Sequence, residues 1–302
     1  MATQAIYGPG KTGLQARRGV ANKRRRRVVS FFAYAFTGLC TLISLGLLLY
    51  LLLFLILKGI GAVNWDFLTK EAAAVGEEGG GIVASLTGTA TIVTIAAIIG
   101  VPFGLLIGVY LSEMARAGSV FANIARLAIN TFTGLPSIIV GVFVYIVVVA
   151  PMRSFSALAG GIALAIIMVP IIARTAEDVM RLVPGSIREA GLALGIPTWR
   201  VTLGVVLPAA RSGLITGGVL AVARVAGETA PLILTALGNE FVQPNVLKPT
   251  DELTLRILKY ARGPYDTWHT QAYGAAFVLV LGVALGALLL RVTTRGKGIK
   301  PQ

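Results

Sequence analysis

Two ionisable side chains, Arg224 and Glu228, lie within a long apolar stretch of this 302-residue sequence. A charged residue at the centre of a membrane-spanning helix costs about 2.5–3.5 kcal/mol on insertion scales, so this pair needs a physical explanation. Because the two residues are four positions apart, a helix would place them on one face, where they could form an internal ion pair. The other interpretation is a polar pathway, because intramembrane charges usually face a bundle interior or a water-filled cavity. The two interpretations are compatible.

Residues for catalysis or metal binding are scarce. The single histidine, His269, allows neither a His cluster nor a nucleophile–His–acid set, and the single cysteine, Cys40, allows no disulfide framework. Gly10-Lys11-Thr12 resembles the end of a phosphate-binding loop, but Ala5 stands where that loop needs its first glycine, and no strand precedes it. We therefore expect no catalytic residue, no metal site and no bound cofactor in this chain.

The composition is that of an integral membrane protein, with 56% apolar residues, 13% charged residues and a mean hydropathy of +0.81. A bilayer core about 30 Å thick needs roughly 20 apolar residues per helix, and the alternating polarity of a barrel strand is absent. The sequence therefore predicts an all-α integral membrane fold with six transmembrane helices, at residues 31–57, 85–111, 127–150, 157–173, 213–237 and 272–290. In the second of these, Gly100, Gly104 and Gly108 share one face and favour close helix packing.

The distribution of Lys and Arg predicts the orientation. With the N-terminus inside, most of the 27 basic residues fall on the cytoplasmic side, as the positive-inside rule expects, and both termini are cytoplasmic. The basic run 23–27 directly precedes the first span, where contact with anionic membrane lipid is its natural role. The isoelectric point of the chain is high, about 10.4, but this charge distribution explains it without nucleic-acid binding.

Between the fourth and fifth spans, a charged stretch punctuated by Gly and Pro predicts two short helices. Ser186 and Glu189 have the spacing of a capping box, which would begin a helix that ends at Gly195. Thr198 would cap a second short helix, which Pro208 would end before the fifth span. The first helix is too short to cross a bilayer. One face of it is mostly small and favours docking of a partner: Ile187, Ala190, Gly191 and Leu194.

The same stretch resembles the EAA loop of ABC importer permeases. Glu189-Ala190-Gly191 is followed after three residues by Gly195, and after nine more by Val205-Val206-Leu207-Pro208. Gly191 replaces the second alanine of that motif and Val205 replaces its isoleucine. The resemblance implies a type I ABC importer permease (MetI-like) bundle, in which a partner ATPase docks on this loop.

Two further motifs resemble the phosphate importer permeases of the PstA type. Residues 223–232, ARVAGETAPL, are similar to the R-A-x-G-E-T-A-P-L signature of that family, and residues 134–141, GLPSIIVG, to its third-span motif. The resemblance implies a phosphate pathway through Arg224, Glu228 and Thr229, with Arg174 as a second candidate or a membrane anchor. An Arg suits an oxyanion because its planar fork binds two oxygens and stays charged. Glu228 would keep the binding weak enough for release.

The resemblance also implies the assembly and its location. A second permease of the PstC type would complete the pathway, two copies of a PstB-type ATPase would carry ATP and Mg²⁺, and a PstS-type extracytoplasmic protein would deliver phosphate in a bacterial inner membrane. The expected parts of the chain are 1–83, with the basic tail, first span and first outer loop, 84–291, the permease core, and 292–302, a cytoplasmic tail. A permease for sulfate or molybdate, a secondary transporter and a regulatory membrane subunit are the alternatives.

Overall fold

The computed structural model describes residues 13–75, 77, 79–116 and 118–294, and the chain divides into two compact units, 1–56 and 57–302. Apart from one isolated bridge between Leu237 and Thr250, every regular element of these residues is helical. Five of the helices are long and apolar enough to cross a membrane, and there are six such segments when one sharply bent pair is counted as a single span. The prediction of an all-α bundle with six spans is confirmed. The Gly10-Lys11-Thr12 motif and residues 295–302 of the predicted tail lie outside the described residues.

The first span belongs to helix α1 (Gly13–Gly59), which continues into a 3₁₀ turn at Ile60–Ala62. Its most apolar window has a mean hydropathy of 2.7 and contains no buried residue. The second unit begins with this turn and the short helix α2 (Trp65–Thr69), which Asn64 caps by accepting a hydrogen bond from the Phe67 N–H at 2.8 Å.

The centre of the second unit is the contact between α3 (Val83–Val109) and α7 (Ala157–Arg181). A Cβ on Gly100 would lie 3.0 Å from the Met168 sulfur, whereas a Cβ on Gly104 would lie 2.7 Å from the Cβ of Ile172 and one on Gly108 only 2.5 Å from the Cβ of Ala176. No side chain larger than hydrogen fits at such distances, so the two backbones approach and gain dispersion contacts along their length. The packing role predicted for this glycine stripe is confirmed. A π turn (Tyr110–Met114) continues α3 at its C-terminal end.

The third span is broken into two helices, where the sequence predicted one helix over 127–150. Helix α4 (Val120–Gly134) meets α5 (Ser137–Val144) at an angle of 103°. Helix α5 continues through a π turn (Tyr145–Val149) into α6 (Ala150–Met152). The cause is Pro136, which has no N–H to donate and holds Leu135 in an extended conformation at φ −72° and ψ 138°. The prediction of one continuous helix was wrong.

The fifth span is displaced toward the N-terminus relative to the predicted 213–237. After α8 (Gly185–Ala193), α9 (Thr198–Val201) passes through a π turn (Thr202–Val206) into α10 (Leu207–Val225), and together these form one apolar helix, Thr198–Val225. Pro208 does not end this helix. In a regular α-helix the proline ring would clash with the carbonyl of Gly204, four residues earlier, but the wider π turn leaves room for it. The predicted break at Pro208 was therefore wrong.

Beyond Val225, the chain turns through Gly227 and forms only a four-residue helix, α11 (Ala230–Ile233). Two helices complete the unit, α12 (Leu253–Ala261), which is too short to cross a bilayer, and the last span, α13 (Asp266–Thr294). Both interrupted spans, the third and the fifth, thus carry their breaks inside apolar sequence.

Candidate functional site

The breaks in the third and fifth spans lie next to each other. Gly141 of α5 contacts the backbone of α11 so closely that a Cβ on it would lie 2.8 Å from the Cα of Pro231. A cavity of about 160 Å³ lies beside this contact, among α4, α5, α7 and the end of α10. Its lining residues are Phe132, Thr133, Leu135, Ser137, Val140, Ile166, Ile167, Ile171, Arg224 and Glu228. Arg224 and Glu228 are thus brought together at one cavity, as a polar pathway requires.

The two charged residues are nevertheless not neighbours on one helix. Helix α10 ends at Val225, and Glu228 lies in the following turn, where its N–H donates to the Val225 carbonyl at 3.1 Å. Within the described residues, neither side chain has an ion-pair or hydrogen-bond partner. The two residues therefore do not share a helical face, and the internal ion pair, one of the two interpretations left open by the sequence, is absent from the described residues. The helical pattern ends because the next N–H groups bond three residues back, from Gly227 to the Arg224 carbonyl at 3.3 Å and from Glu228 to the Val225 carbonyl, so the chain forms a tight turn before Glu228.

The other predicted pathway residues lie outside the cavity lining. Thr229 occupies the N-cap position of α11, where its carbonyl accepts from the Leu232 N–H at 3.1 Å. Arg174 is exposed on α7 and pairs with Asp178 one turn away, at 3.1 Å. The structure instead adds the hydroxyls of Thr133 and Ser137 to the cavity. The signal for Ser137 was present in the 134–141 motif, to which the sequence analysis gave no role.

The position of Glu228 is fixed from the far side of the bundle. The hydroxyl of Thr254, at the start of α12, donates to the Glu228 carbonyl at 3.3 Å and also contacts the buried carboxylate of Glu252. Glu252 caps α12 by accepting from the Thr254 N–H at 2.7 Å, and the hydroxyl of Thr89 on α3 donates to it at 3.2 Å. Glu228, which lines the cavity, is therefore connected through its carbonyl to a polar network that joins α3 and α12.

A second buried pair belongs to the same region. The guanidinium of Arg256, which is 2% exposed, contacts the carboxylate of Asp251 at 2.7 Å, and the hydroxyl of Ser85 on α3 donates to that carboxylate at 2.5 Å. Gly88 allows this approach, because a Cβ there would lie 1.8 Å from the Asp251 carbonyl oxygen. The segment lies between the predicted fifth and sixth spans, and this pair was not predicted from the sequence.

Burial gives Glu252 a testable pH dependence. It raises the pKa of the carboxyl from 4.5 to about 7, and hydrogen bonds from Thr254, Thr89 and the Leu255 N–H only partly oppose this. A raised folded-state pKa means that stability is fully present below pH 4.5 and is lost as the pH rises through about 7. Glu252→Gln removes the titration and keeps acceptor and donor atoms. We expect its advantage in unfolding free energy over the wild type to grow to about 3 kcal/mol between these pH values.

The measurement is the unfolding transition of both proteins in detergent from pH 4 to pH 8. The exposed carboxylate Glu77 supplies the control, since Glu77→Gln should follow the wild type at every pH. A constant difference between Glu252→Gln and the wild type over this range would contradict the assignment.

The predicted docking loop forms two short helices and the start of the fifth span. Glu189 and Ala190 are exposed on α8, whereas Gly191 is buried against Val201 of α9, where a Cβ would lie 3.0 Å from a Val201 methyl. The predicted docking face is thus divided, because Gly191 packs within the chain. Leu207 is half-buried and Pro208 exposed at the beginning of α10.

The start of α8 differs from the prediction, and its end agrees with it. Pro184 is the N-cap and no side chain caps the helix, so the predicted capping box of Ser186 and Glu189 was wrong. The fixed φ of Pro184 begins the helix two residues earlier, which places Ser186 within the first turn. At the other end Gly195 has φ +73°, the left-handed conformation that favours glycine at a helix stop.

Gly195 offers a test of the loop that involves backbone conformation alone. A Cβ at this position meets nothing within 4 Å, so a side chain is opposed only by the positive φ. We expect Gly195→Val to cost about 1–2 kcal/mol of loop stability, since valine avoids this region. Gly195→Asn, which tolerates positive φ, should stay near the wild type. Thermal unfolding of the two purified variants measures the cost, and equal loss in both would show that φ is not the cause.

A buried ion pair holds α8 against the second span. Arg188 donates to both carboxylate oxygens of Glu113, from Nε at 2.9 Å and from Nη2 at 2.7 Å, in the bidentate geometry that gives strong, oriented pairs. The same guanidinium donates to the carbonyls of Val183 at 2.6 Å and Met180 at 2.7 Å. Glu113 belongs to the π turn after α3, and Met180 to α7. Arg188 therefore connects the short helix to both central helices, a role that sequence reasoning missed.

A second ion cluster reinforces the same end of the bundle. Glu177 of α7 is 2% exposed, and it accepts from Arg126 of α4 at 2.8 Å and from Arg181 at 2.5 Å. Arg126 also donates to the Leu111 carbonyl at 3.0 Å. The ends of α3, α4 and α7 that face α8 are consequently fastened to one another.

Comparison with known proteins gives a consistent result at the level of families. Residues 100–296 match the family model described as binding-protein-dependent transport system inner membrane component. The chain is 38% identical to the phosphate transport system permease protein PstA of Yersinia pestis, covering 88% of this chain and 90% of the relative. It is 41% identical to the protein of the same description from Haemophilus influenzae, covering 84% and 88%.

Among solved structures, the fold is similar to an inward-facing MetNI methionine ABC transporter, with a TM-score of 0.61 and 22% identity over 72% of this chain and 96% of that one. It is also similar to an amino acid ABC transporter, with a TM-score of 0.54 and 18% identity over 71% of this chain and 92% of that one. At these identities the likeness concerns the fold.

Proposed function

Because this chain belongs to the family of binding-protein-dependent transport system inner membrane components, we propose that it is the permease subunit of an ATP-driven importer of inorganic phosphate. It is a membrane transport subunit and not an enzyme. The observation that carries the substrate assignment is the unpaired Arg224 guanidinium at a cavity between two broken spans. The relatives named as phosphate permeases support the same anion.

The cavity suits an oxyanion in size and in chemistry. A single water needs roughly 10–15 Å³ of such volume, so about 160 Å³ accommodates a tetrahedral anion together with some of its water. The guanidinium supplies charge and several donors, and the hydroxyls of Thr133 and Ser137 supply two further polar groups. An anion that enters the cavity from water loses part of its hydration shell, and the guanidinium and the two hydroxyls replace some of the lost hydrogen bonds. Thr229 and Arg174 remain proposed contributors in states where the spans have moved.

Transport needs partners that this chain does not contain. A second permease of the PstC type completes the pathway, and a PstS-type extracytoplasmic protein delivers phosphate. Two PstB-type ATPases dock on the 189–208 loops and supply the ATP and Mg²⁺ chemistry. This chain contributes no catalytic residue, metal site or cofactor, and it contacts lipid and no nucleic acid. The proposed division of the chain is 1–83, with the basic tail, first span and first outer loop, 84–291, the permease core, and 292–302, the C-terminal tail. Both termini are proposed to be cytoplasmic, with the chain in a bacterial inner membrane.

The ion pairs at α8 suggest how work reaches the cavity. When α8 moves, Arg188 transmits the movement through two contacts: to Glu113, in the π turn that follows α3, and to the Met180 carbonyl in α7. Helix α10, which carries Arg224, packs on α7 through Gly213 against Val179 and Gly217 against Thr175. Packed helices of this kind shift as units, so ATPase closure changes the side from which the cavity is reached.

Reconstitution tests the proposal directly. The chain is combined with the second permease, the ATPase and the receptor in liposomes, and ATP-dependent phosphate flux is measured. Flux that requires every component is expected. Phosphate movement by the isolated chain without ATP would indicate a secondary transporter, and flux of sulfate in place of phosphate would change the substrate.

A further inference from the structure

We propose that Glu228 makes the cavity select an anion that carries its own proton, so that this residue is a determinant of phosphate over sulfate. The inference rests on the proposed function and deepens it. It concerns the cavity of about 160 Å³ beside Arg224, where the carboxylate was so far given only the role of weakening the binding of the anion.

The geometry argues against simple neutralisation of Arg224. An ion pair here would bring the carboxylate within 4.0 Å of the guanidinium, and among the described residues no such pair joins them. Both side chains line the same cavity without a protein partner. The Glu228 backbone is held at its N–H by the Val225 carbonyl and at its carbonyl by the Thr254 hydroxyl. The carboxylate is therefore kept at the cavity and left free to contact a ligand.

The chemistry follows from what a carboxylate can do. An ionised carboxylate accepts hydrogen bonds and donates none, so a neighbouring anion must bring a donor of its own. Inorganic phosphate carries at least one hydroxyl at neutral pH, and that hydroxyl can donate to Glu228 while other oxygens accept from Arg224. Sulfate carries no proton under these conditions, so its oxygens would face the carboxylate oxygens with nothing to relieve the repulsion.

This arrangement also distinguishes phosphate from the alternatives left open by the sequence. An arginine and two hydroxyls would hold sulfate or molybdate as well as phosphate, since all three are tetrahedral anions. The carboxylate supplies the unfavourable contact that specificity often requires, acting against the wrong ligand more than it favours the right one.

The test uses the purified permease–ATPase complex in lipid nanodiscs, without receptor or nucleotide. Line broadening in ³¹P spectra reports weak binding of phosphate and of monofluorophosphate, which has fluorine where phosphate has its hydroxyl. Sulfate is added as a competitor. For the wild type we expect phosphate to bind about 10- to 100-fold more strongly than either proton-free anion, as loss of a hydrogen bond to a charged group implies. This comparison needs no variant, so it is independent of any folding defect.

The variant then locates the effect. In Glu228→Gln the amide can donate, and we expect sulfate and monofluorophosphate to bind within about threefold of phosphate. Asp66→Asn removes an exposed carboxylate of α2 that lies outside the cavity and should preserve the wild-type preference. Size-exclusion chromatography checks that both complexes are intact.

The possible results separate the two claims. Equal binding of phosphate and monofluorophosphate by the wild type, or continued exclusion of sulfate by Glu228→Gln, overturns the inference while ATP-dependent phosphate flux still supports the proposed function. If that flux is absent in the reconstituted wild type, the proposed function fails, and the inference fails with it.

Discussion

We expect phosphate uptake to fall at least about a hundredfold when Arg224 is replaced by Gln, while the complex still assembles and hydrolyses ATP. Among the residues that the structure describes, the guanidinium is the one cation that lines the cavity of about 160 Å³, so in the proposed pathway its loss removes the charge that would offset dehydration of the anion. Charge-assisted hydrogen bonds contribute about 1.5–3 kcal/mol each, and two of them account for a change of this size. Uptake of labelled phosphate and ATP hydrolysis are measured on the same proteoliposomes.

Two further variants show whether position and shape matter. Arg211→Gln removes another arginine of α10, away from the cavity, and should leave most uptake intact. Arg224→Lys keeps the charge but loses the planar fork, so an intermediate rate is expected. Wild-type uptake in Arg224→Gln would show that the guanidinium has no part in the pathway.

The second large effect is expected at the ion pair that holds α8. In Arg188→Met, the Glu113 carboxylate stays buried at 4% exposure without its partner, and the carbonyls of Val183 and Met180 lose a donor. Removing one member of a buried pair costs about 3–5 kcal/mol, and the partial exposure of Arg188 lowers this to about 2–4 kcal/mol. We expect ATP hydrolysis to continue with several-fold more ATP consumed per phosphate imported.

The double variant Arg188→Met/Glu113→Met separates stability from coupling. It removes the unpaired buried charge, so the thermal stability of the complex should recover toward the wild type. The connection between α8 and α3 is still missing, so the ratio of ATP to phosphate should stay high. A double variant in which that ratio is normal would show that Arg188 has only a structural role.

Hydropathy and residue spacing predicted much of the architecture, because both depend on the bilayer and on helix geometry. Six apolar segments, the Gly100–Gly104–Gly108 packing stripe and the Gly195 stop were all found by counting residues. Each of these features is local, or periodic along one helix. None of them depends on which helix becomes the neighbour.

Helix breaks inside apolar sequence were not predicted. A hydropathy window averages over Pro136 and Gly227, so it reported continuous spans where the structure has a 103° bend and a turn. The opposite error was made at Pro208, where a π turn keeps the helix intact. Partners distant in sequence, such as Glu113 with Arg188, could not be found from spacing at all.

Helix α3 is held near both of its ends. Near the N-terminal end, Gly88 packs against the backbone of Asp251, and beyond the C-terminal end, Glu113 pairs with Arg188. Its 27 residues span about 40 Å at 1.5 Å each, nearly the full thickness of the membrane with its headgroups. Because both ends are held, α3 cannot respond to a force along its axis by unwinding at one end or by sliding past its neighbours. In the proposed transporter, a displacement of the Glu113 end by the ATPase would therefore tilt α3 and move its Gly88 end, so that one helix would link events on the two sides of the membrane.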